Sequence, residues 1–247
     1  MPHNPMTGFR YFLQGFAWLN RPKIRPYVII PLIINVLVYC LVIWAGIHYF
    51  SQLTHWVEGM LPSWLAWLSW LMWLIFILSG LLVMVYTFTL VANLIGAPFN
   101  GFLAEQVILQ AGGQLPAPSS WHHVVKEVPR SLLREGRKIL YYLPRAILLL
   151  ILFIVPIVHV VAGVLWFLFN GWMMAVEYVD YPMDVEGIDF PTLQKTLRRY
   201  RGMGLGFGLG VMLFALIPIV NFFVMPAAVC GASLMWLREF EHSDSKR

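Results

Sequence analysis

Four long apolar runs, 26–50, 64–99, 144–177 and 202–236, divide this chain, with short polar stretches between them. The first run predicts a membrane-crossing helix: about 25 residues at 1.5 Å each traverse a hydrocarbon core of roughly 30 Å. Pro26 at its start suits the first helical turn, where the N–H it lacks would be unpaired anyway. The second run predicts a return crossing. As one straight helix it would be about 54 Å long, so it tilts, kinks or protrudes, and Gly96 and Pro98 mark the expected bend at its inner end.

The last two runs share an interruption. "FIVPIVHVVAG" and "ALIPIVNFFVMPAAV" each carry Pro-Ile-Val followed by one polar residue: His159 after Pro156, and Asn221 after Pro218. Each leg beside the proline has only about 12 to 17 residues, roughly 18–25 Å of helix, which is short for a span. Ahead of the first run, Phe9, Phe12, Leu13, Phe16 and Leu19 recur at helical spacing, with Arg10 and Gln14 off that face. Such a segment reads as a helix lying in the membrane interface. It lacks the small-residue cleavage site of a signal peptide.

Composition fixes the class and charge fixes the topology. With 60% hydrophobic and 12% charged residues, and a mean hydropathy of +0.72, the chain reads as one integral membrane domain, 1–247. Its 17 Lys and Arg residues fall at 10–25, 126–145, 195–201 and 238–247, with none between Arg25 and Lys126. The positive-inside bias places every cluster, and both termini, on the cytoplasmic side. The connector 51–63 has no Lys or Arg and suits the far side, with Trp56 and Trp64 as interface anchors.

Runs 144–177 and 202–236 have basic residues on both flanks, so each makes an even number of passes. The economical solution is a pair of shallow helical hairpins, with Pro156 and Pro218 at the tips. The alternative is two kinked full crossings, out and back, with the same termini. Half-depth tips need protein cover, in an oligomer or around a cavity, because bare non-helical backbone is not tolerated in hydrocarbon. The expected fold is therefore an all-α membrane protein. It has an interfacial helix and basic turn (1–25), two long transmembrane helices (26–50, 64–99), a cytoplasmic helical region (100–143), the two hairpins and a cytoplasmic tail (237–247). Cys40 and Cys230 both lie in apolar segments and read as small hydrophobes.

Five stretches together are similar to the CysZ family of bacterial inner-membrane sulfate transporters: "RPKIRPYVIIPLIINVL", "ANLIGAPFNGFLAEQV", "VPRSLLREGRKILYYLPRAI", "VLWFLFNGWMMAVEYVDYPMD" and "IPIVNFFVMPAAVCGASLMW". The likeness runs from about Phe9 to Trp236. It implies two long crossings, two shallow hairpins, homo-oligomeric assembly and sulfate uptake that feeds cysteine synthesis, with proton dependence. It also implies a sulfate site beside the first crossing, where family members carry Gly-Leu-Arg or Gly-Ile-Arg, often with a second Arg. The matching residues here are Lys23, Ile24, Arg25 and Pro26.

Residue chemistry points to the same place. Sulfate is a strongly hydrated dianion, so a site must replace its water with several fixed donors. Arg25 offers charge-assisted hydrogen bonds, and Tyr27 and Val28 open a helix whose first N–H groups favour anions. The bland alternative is that Lys23 and Arg25 only anchor lipid head groups. Arg130, Arg134 and Arg137 recur at i, i+4 and i+7 and read either as a vestibule concentrating anions or as a basic interfacial helix. Glu105 is the only acid between Glu58 and Glu127; pairing with an Arg of that stripe, fixing the inner end of a pore, is expected ahead of proton coupling. Asn93, Asn100, His159 and Asn221 are candidates for a polar path or for helix-to-helix hydrogen bonds.

No phosphate-binding loop, Gly-x-Ser-x-Gly or His-Glu-x-x-His motif occurs, so neither enzyme chemistry, a cofactor or metal, nor a nucleic-acid partner is expected. The Gly-rich "RGMGLGFGLG" opens an apolar run rather than following a strand, which predicts close helix packing. A structural or regulatory membrane subunit without transport activity is the rival function, and a membrane enzyme with Glu105 and His159 as acid and base ranks behind both.

Overall fold

The computed structural model describes residues 4–60, 69–115, 121–155 and 158–241, and their side chains except at 50–51, 53–60, 69, 72, 88–98, 121–132 and 241. Every regular element among them is helical: α1 Pro5–Leu19, α2 Arg25–Met60, α3 Ser69–Gln110, α4 Trp121–Ile154, α5 Val158–Val185, α6 Phe190–Arg199, α7 Arg201–Ala215, α8 Pro218–Met235 and a C-terminal π-helix Trp236–Glu241. The chain divides into two compact units, 29–99 and the remainder.

Unit 29–99 consists of the apolar lengths of α2 and α3. Both helices are apolar on every side and carry many accessible side chains, among them Ile33, Leu37 and Trp44 on α2 and Ile77, Leu81 and Val85 on α3. A helix apolar on all sides and largely unburied belongs in lipid, where every backbone group is paired within the helix itself. Arg25–Tyr49 is long and apolar enough to span a membrane, as are Val158–Val185 and Pro218–Phe240. Both long helices run past the expected limits: α2 continues through 51–60, and α3 continues through 96–98 to Gln110.

The second unit holds a core to which α1, the end of α3 and α5 through α8 all contribute. Helix α1 starts where Asn4 accepts the Met6 amide at 2.9 Å, with Pro5 in the first turn. Its buried face is Gly8, Tyr11, Phe12, Gly15 and Trp18, while Leu13 is exposed. Phe12 of the Phe9–Leu19 stripe is thus fully buried, and Phe9, Phe16 and Leu19 pack partly buried against the same core, while two glycines beside them set how closely α1 approaches. A Cβ at Gly8 would lie 1.9 Å from the Met203 carbonyl oxygen, and one at Gly15 1.9 Å from that of Ala227. Backbone thus rests on backbone, and α1 lies directly across α7 and α8. The Gly-rich start of α7 serves the same end, since Gly206 abuts Pro5 and Gly208 abuts Gly171 of α5.

Helices α4 and α5 lie antiparallel. Phe153 meets Trp166 edge-on, Tyr142 stacks on Phe169, and Trp172 Nε1 donates to Tyr141 Oη at 3.0 Å. Their apolar ends are separated by residues 155–157, of which Pro156 lies outside the described residues. Between α7 and α8, the Ile217 amide closes α7 on Phe214 and the Asn221 amide closes the first turn of α8 on Ile217. Pro218 is therefore a helix starter, in the position its missing N–H favours. Cys40 is exposed and Cys230 buried, and both are free.

Candidate functional site

The connection from α1 to α2 is a tight, basic turn. The Arg21 carbonyl accepts the amides of Ile24 at 2.9 Å and Arg25 at 3.0 Å, so the chain bends as one helical turn. Ile24 is wholly buried and anchors it, while Lys23 and Arg25 are exposed. Arg25 Nη2 donates to Asn20 Oδ1 at 2.5 Å. The Tyr27 amide is taken by the Ile24 carbonyl at 3.1 Å, and Pro26 has no N–H to offer. Tyr27 and Val28 are half-buried, with the Tyr27 ring tilted against Phe102. Few backbone donors remain open at this helix start, so its capacity for anions rests on side chains.

A second polar cluster lies between α4 and α5. Arg134 Nε donates to Asp180 Oδ1 at 2.8 Å, and its Nη1 reaches Asp184 Oδ1 at 3.0 Å and the Ile188 carbonyl at 2.6 Å. Lys138 Nζ sits 2.6 Å from Glu135, 2.9 Å from Glu177 and 3.3 Å from Asp180. Tyr181 Oη reaches Glu177 at 3.4 Å. Asn100, buried, lies against Tyr181, and its Nδ2 has no well-formed hydrogen bond.

The turn after α5 delivers the Ile188 carbonyl. Gly187 adopts φ +77°, its amide bonds the Asp184 carbonyl at 2.9 Å, and the Ile188 amide bonds that of Met183 at 2.8 Å. This is a glycine-terminated helix end in which C′ and C″ amides cap the last carbonyls.

Burial opposes charge on Lys138, yet Glu177, Asp180 and Glu135 outweigh it and hold the ammonium's pKa above its ordinary value. Burial pushes the Glu135 carboxyl up, against the hydrogen bond and charge of Lys138. With two cations against four carboxylates, the cluster binds its own charges and presents no free positive surface.

Of the vestibule candidates, Arg134 is buried and ion-paired, Arg137 is exposed, and the Arg130 side chain lies outside the described ones. Glu105 is buried at the end of α3 in the same unit. His159 is exposed in the first turn of α5, and Asn221 is exposed beyond Pro218. Glu135, Lys138, Glu177, Asp180 and Asp184 went unnoticed in the sequence. Their signal was nevertheless present: Glu177, Asp180 and Asp184 recur at i, i+3 and i+7 in an apolar segment, and Lys138 follows Arg134 by one turn. Among the described residues, no set of three His, Cys, Asp or Glu side chains converges as metal ligands.

Comparison with known proteins adds two findings. The family described as "Sulfate transporter CysZ/Etoposide-induced protein 2.4" matches residues 11–226. A protein of Pectobacterium atrosepticum named "Sulfate transporter CysZ" is 43% identical over 240 residues, 96% of this chain and 86% of that relative.

Proposed function

The chain belongs to the family of the sulfate transporter CysZ and etoposide-induced protein 2.4, and from that premise we propose that it carries sulfate across a bacterial inner membrane to supply cysteine synthesis. The observation that carries this is the 43% identity, over nearly the whole chain, to a relative named for sulfate transport.

Two exposed cations in one rigid turn, Lys23 and Arg25, support a capture site at the start of the first crossing. Arg25 contributes a planar fork matched to an oxyanion, whereas Lys23 adds a point charge. The Asn20 contact holds the Arg25 fork in place before the ligand arrives and so lowers the ordering cost of binding. The Arg134 and Lys138 cluster works differently. Its cations are already neutralised, so it fixes the base of the α4–α5 hairpin and leaves Arg137 to attract anions.

Moving a dianion inward against an inside-negative potential costs about 4.6 kcal/mol per 100 mV. Consumption of sulfate inside, or two accompanying protons, offsets that cost. Assembly of several copies would shelter the hairpin tips, where Leu216, Ile219 and Phe222 are strongly exposed.

Purified protein in sealed vesicles tests the proposal. Labelled sulfate enters vesicles containing the wild type, and entry falls at least about tenfold with Arg25→Ala while assembly is unchanged. Sound vesicles with no flux would instead favour a structural subunit.

A further inference from the structure

Arg145 is the last charged residue before the apolar end of α4. Residues 146–154 are all hydrophobic, and no Asp, Glu, Lys or Arg follows until Glu177. Its side chain is exposed, although an arginine at the edge of hydrocarbon is costly unless its head reaches water or an anion. Nη1 of Arg145 donates to the Tyr141 carbonyl one turn earlier, and the guanidinium carbon lies 3.7 Å from the centroid of the Tyr141 ring. The side chain thus leans back toward the basic end of α4, as a snorkelling arginine does. Tyr141 is itself fixed. Its Oη accepts from Trp172 Nε1 at 3.0 Å, and its ring meets Phe190 edge-on with centroids 6.1 Å apart, so α5 and α6 hold the ring on which Arg145 rests.

A single hydrogen bond leaves most of the guanidinium's N–H donors open, and among the described residues no carboxylate pairs with Arg145. The next exposed cation along α4 is Arg137, about two turns earlier. In the apolar direction, Leu148 and Leu152 follow Arg145 at i+3 and i+7 and continue the same face, Leu148 exposed and Leu152 half-buried. Open donors at the foot of an apolar track fit a phosphate that carries an acyl chain. A free oxyanion gains nothing from the leucines. A second copy of this chain would have to bring a carboxylate to the apolar boundary, and its four apolar runs hold none except Glu177, which Lys138 already engages. The positive balance of the patch selects a lipid of net negative charge over a zwitterionic one.

We propose that Arg145, seated on Tyr141, binds the phosphate of an anionic phospholipid, one acyl chain of which lies along Leu148 and Leu152. The lipid braces α4 where α5 and α6 meet it. Tyr141 is a positioning residue, acting through Arg145.

The test titrates full-length protein in detergent micelles with phosphatidylglycerol or phosphatidylcholine and counts bound lipid by native mass spectrometry. The wild type should bind phosphatidylglycerol the more tightly. Arg145→Gln should weaken that binding by at least about fivefold, leave phosphatidylcholine binding unchanged and melt at the wild-type temperature without added lipid. Arg145→Lys should recover only part of the loss, because charge returns without the planar fork. Leu148→Ser, which keeps the cation and removes the acyl contact, should weaken phosphatidylglycerol binding by at least about twofold.

Phosphatidylglycerol affinity within experimental error of the wild type in Arg145→Gln, or in Leu148→Ser, would overturn the lipid site. So would displacement of the lipid from the wild type by millimolar inorganic phosphate or sulfate, which would make Arg145 a site for soluble oxyanions. Loss of oligomer mass in Arg145→Gln with lipid binding intact would assign the residue to a contact between copies and likewise end the proposal. No arm reads sulfate flux, so the outcome is independent of the transport assignment.

Discussion

Asp180 Oδ1 lies 2.8 Å from Nε and 2.7 Å from Nη2 of Arg134, with both side chains more than nine-tenths buried. This pair joins α4 to α5 at the basic end of their hairpin, and its other contacts extend the tie to Asp184 and the Ile188 carbonyl. Removing one member of a buried pair leaves the other charge uncompensated, at a cost of about 3–5 kcal/mol. Arg134→Met should fall near the lower bound, about 3 kcal/mol, because Lys138 still faces Asp180. Thermal unfolding in detergent checks this. Arg134→Met combined with Asp180→Leu should cost less than the sum of the two single changes, whereas strict additivity would mean that the contact contributes little.

The α5 end makes a separate prediction. Gly187 sits at φ +77° with open space where a Cβ would go, so Gly187→Ala meets backbone strain and no clash. The expected cost is about 1–2 kcal/mol. Because this turn aims the Ile188 carbonyl at Arg134, the loss should shrink in an Arg134→Met background. Equal losses in both backgrounds would separate the turn from the ion pair.

Close packing of α1 offers a sharper contrast. Gly15→Ala would push a Cβ to 1.9 Å from the Ala227 carbonyl oxygen, whereas Gly136→Ala on α4 meets nothing within 4 Å. The first should destabilise by at least about 1–3 kcal/mol, because backbone must move. The second should be neutral or stabilise by up to about 1 kcal/mol through helix propensity. Matching melting temperatures for the two variants would contradict the backbone-on-backbone contact.

These glycines show what was legible in the sequence and what was not. Apolar run length announced the long helices, and Pro-Ile-Val marked the break before α8, because lipid and proline impose local rules. The Gly-rich opening of α7 was readable as close packing for the same reason. The buried face of α1 was legible in part: Phe12 and its stripe neighbours Phe9, Phe16 and Leu19 do meet the core, but hydrophobic spacing counts side chains, whereas Gly8 and Gly15 bury backbone by having none. At the turn, the cationic residues were plain, but the loss of the Tyr27 amide to Ile24 depends on dihedral angles. Arg134 was visible as one stripe of a helix. Its partners lie 46 and 50 positions away, at Asp180 and Asp184, and depend on how α5 folds back.

Tyr11 gives a pH signature. Burial first, then the hydrogen bond and charge of Glu239, push its phenol up to about 12 from the model-compound value of 10.0. Its hydroxyl donates to Glu239 Oε1 at 2.8 Å. A raised folded pKa means that this contribution to stability is complete below pH 10 and is lost as pH climbs from 10 toward 12, since only the unfolded chain releases the proton there. Tyr11→Phe should therefore flatten part of the decline in stability over that interval. The ultraviolet difference between wild type and variant should titrate near 12. A difference midpoint at 10 would mean that the phenol is not enclosed between α1 and the π-helix.

The hairpins can be probed at their polar residues. His159 and Asn221 are both accessible and lie just beyond the two interruptions, so in a background carrying Cys40→Ala and Cys230→Ala, His159→Cys and Asn221→Cys each report on one tip. If each hairpin dips from the inner face and turns back, neither thiol meets external water, and an impermeant maleimide added outside intact cells should leave both unmodified. Solubilising the membrane should then expose them. Two complete spans would instead carry the residues near Pro156 and Pro218 into the periplasm, where both thiols would react at once. The length of α7 favours the first outcome. Its 15 residues rise only about 22 Å, well short of a hydrocarbon core of roughly 30 Å, and Arg201 at its start would have to leave the basic interface for the tip to emerge. Rapid labelling of Asn221→Cys from outside would therefore refute the shallow hairpin in the segment where helix length argues for it most directly.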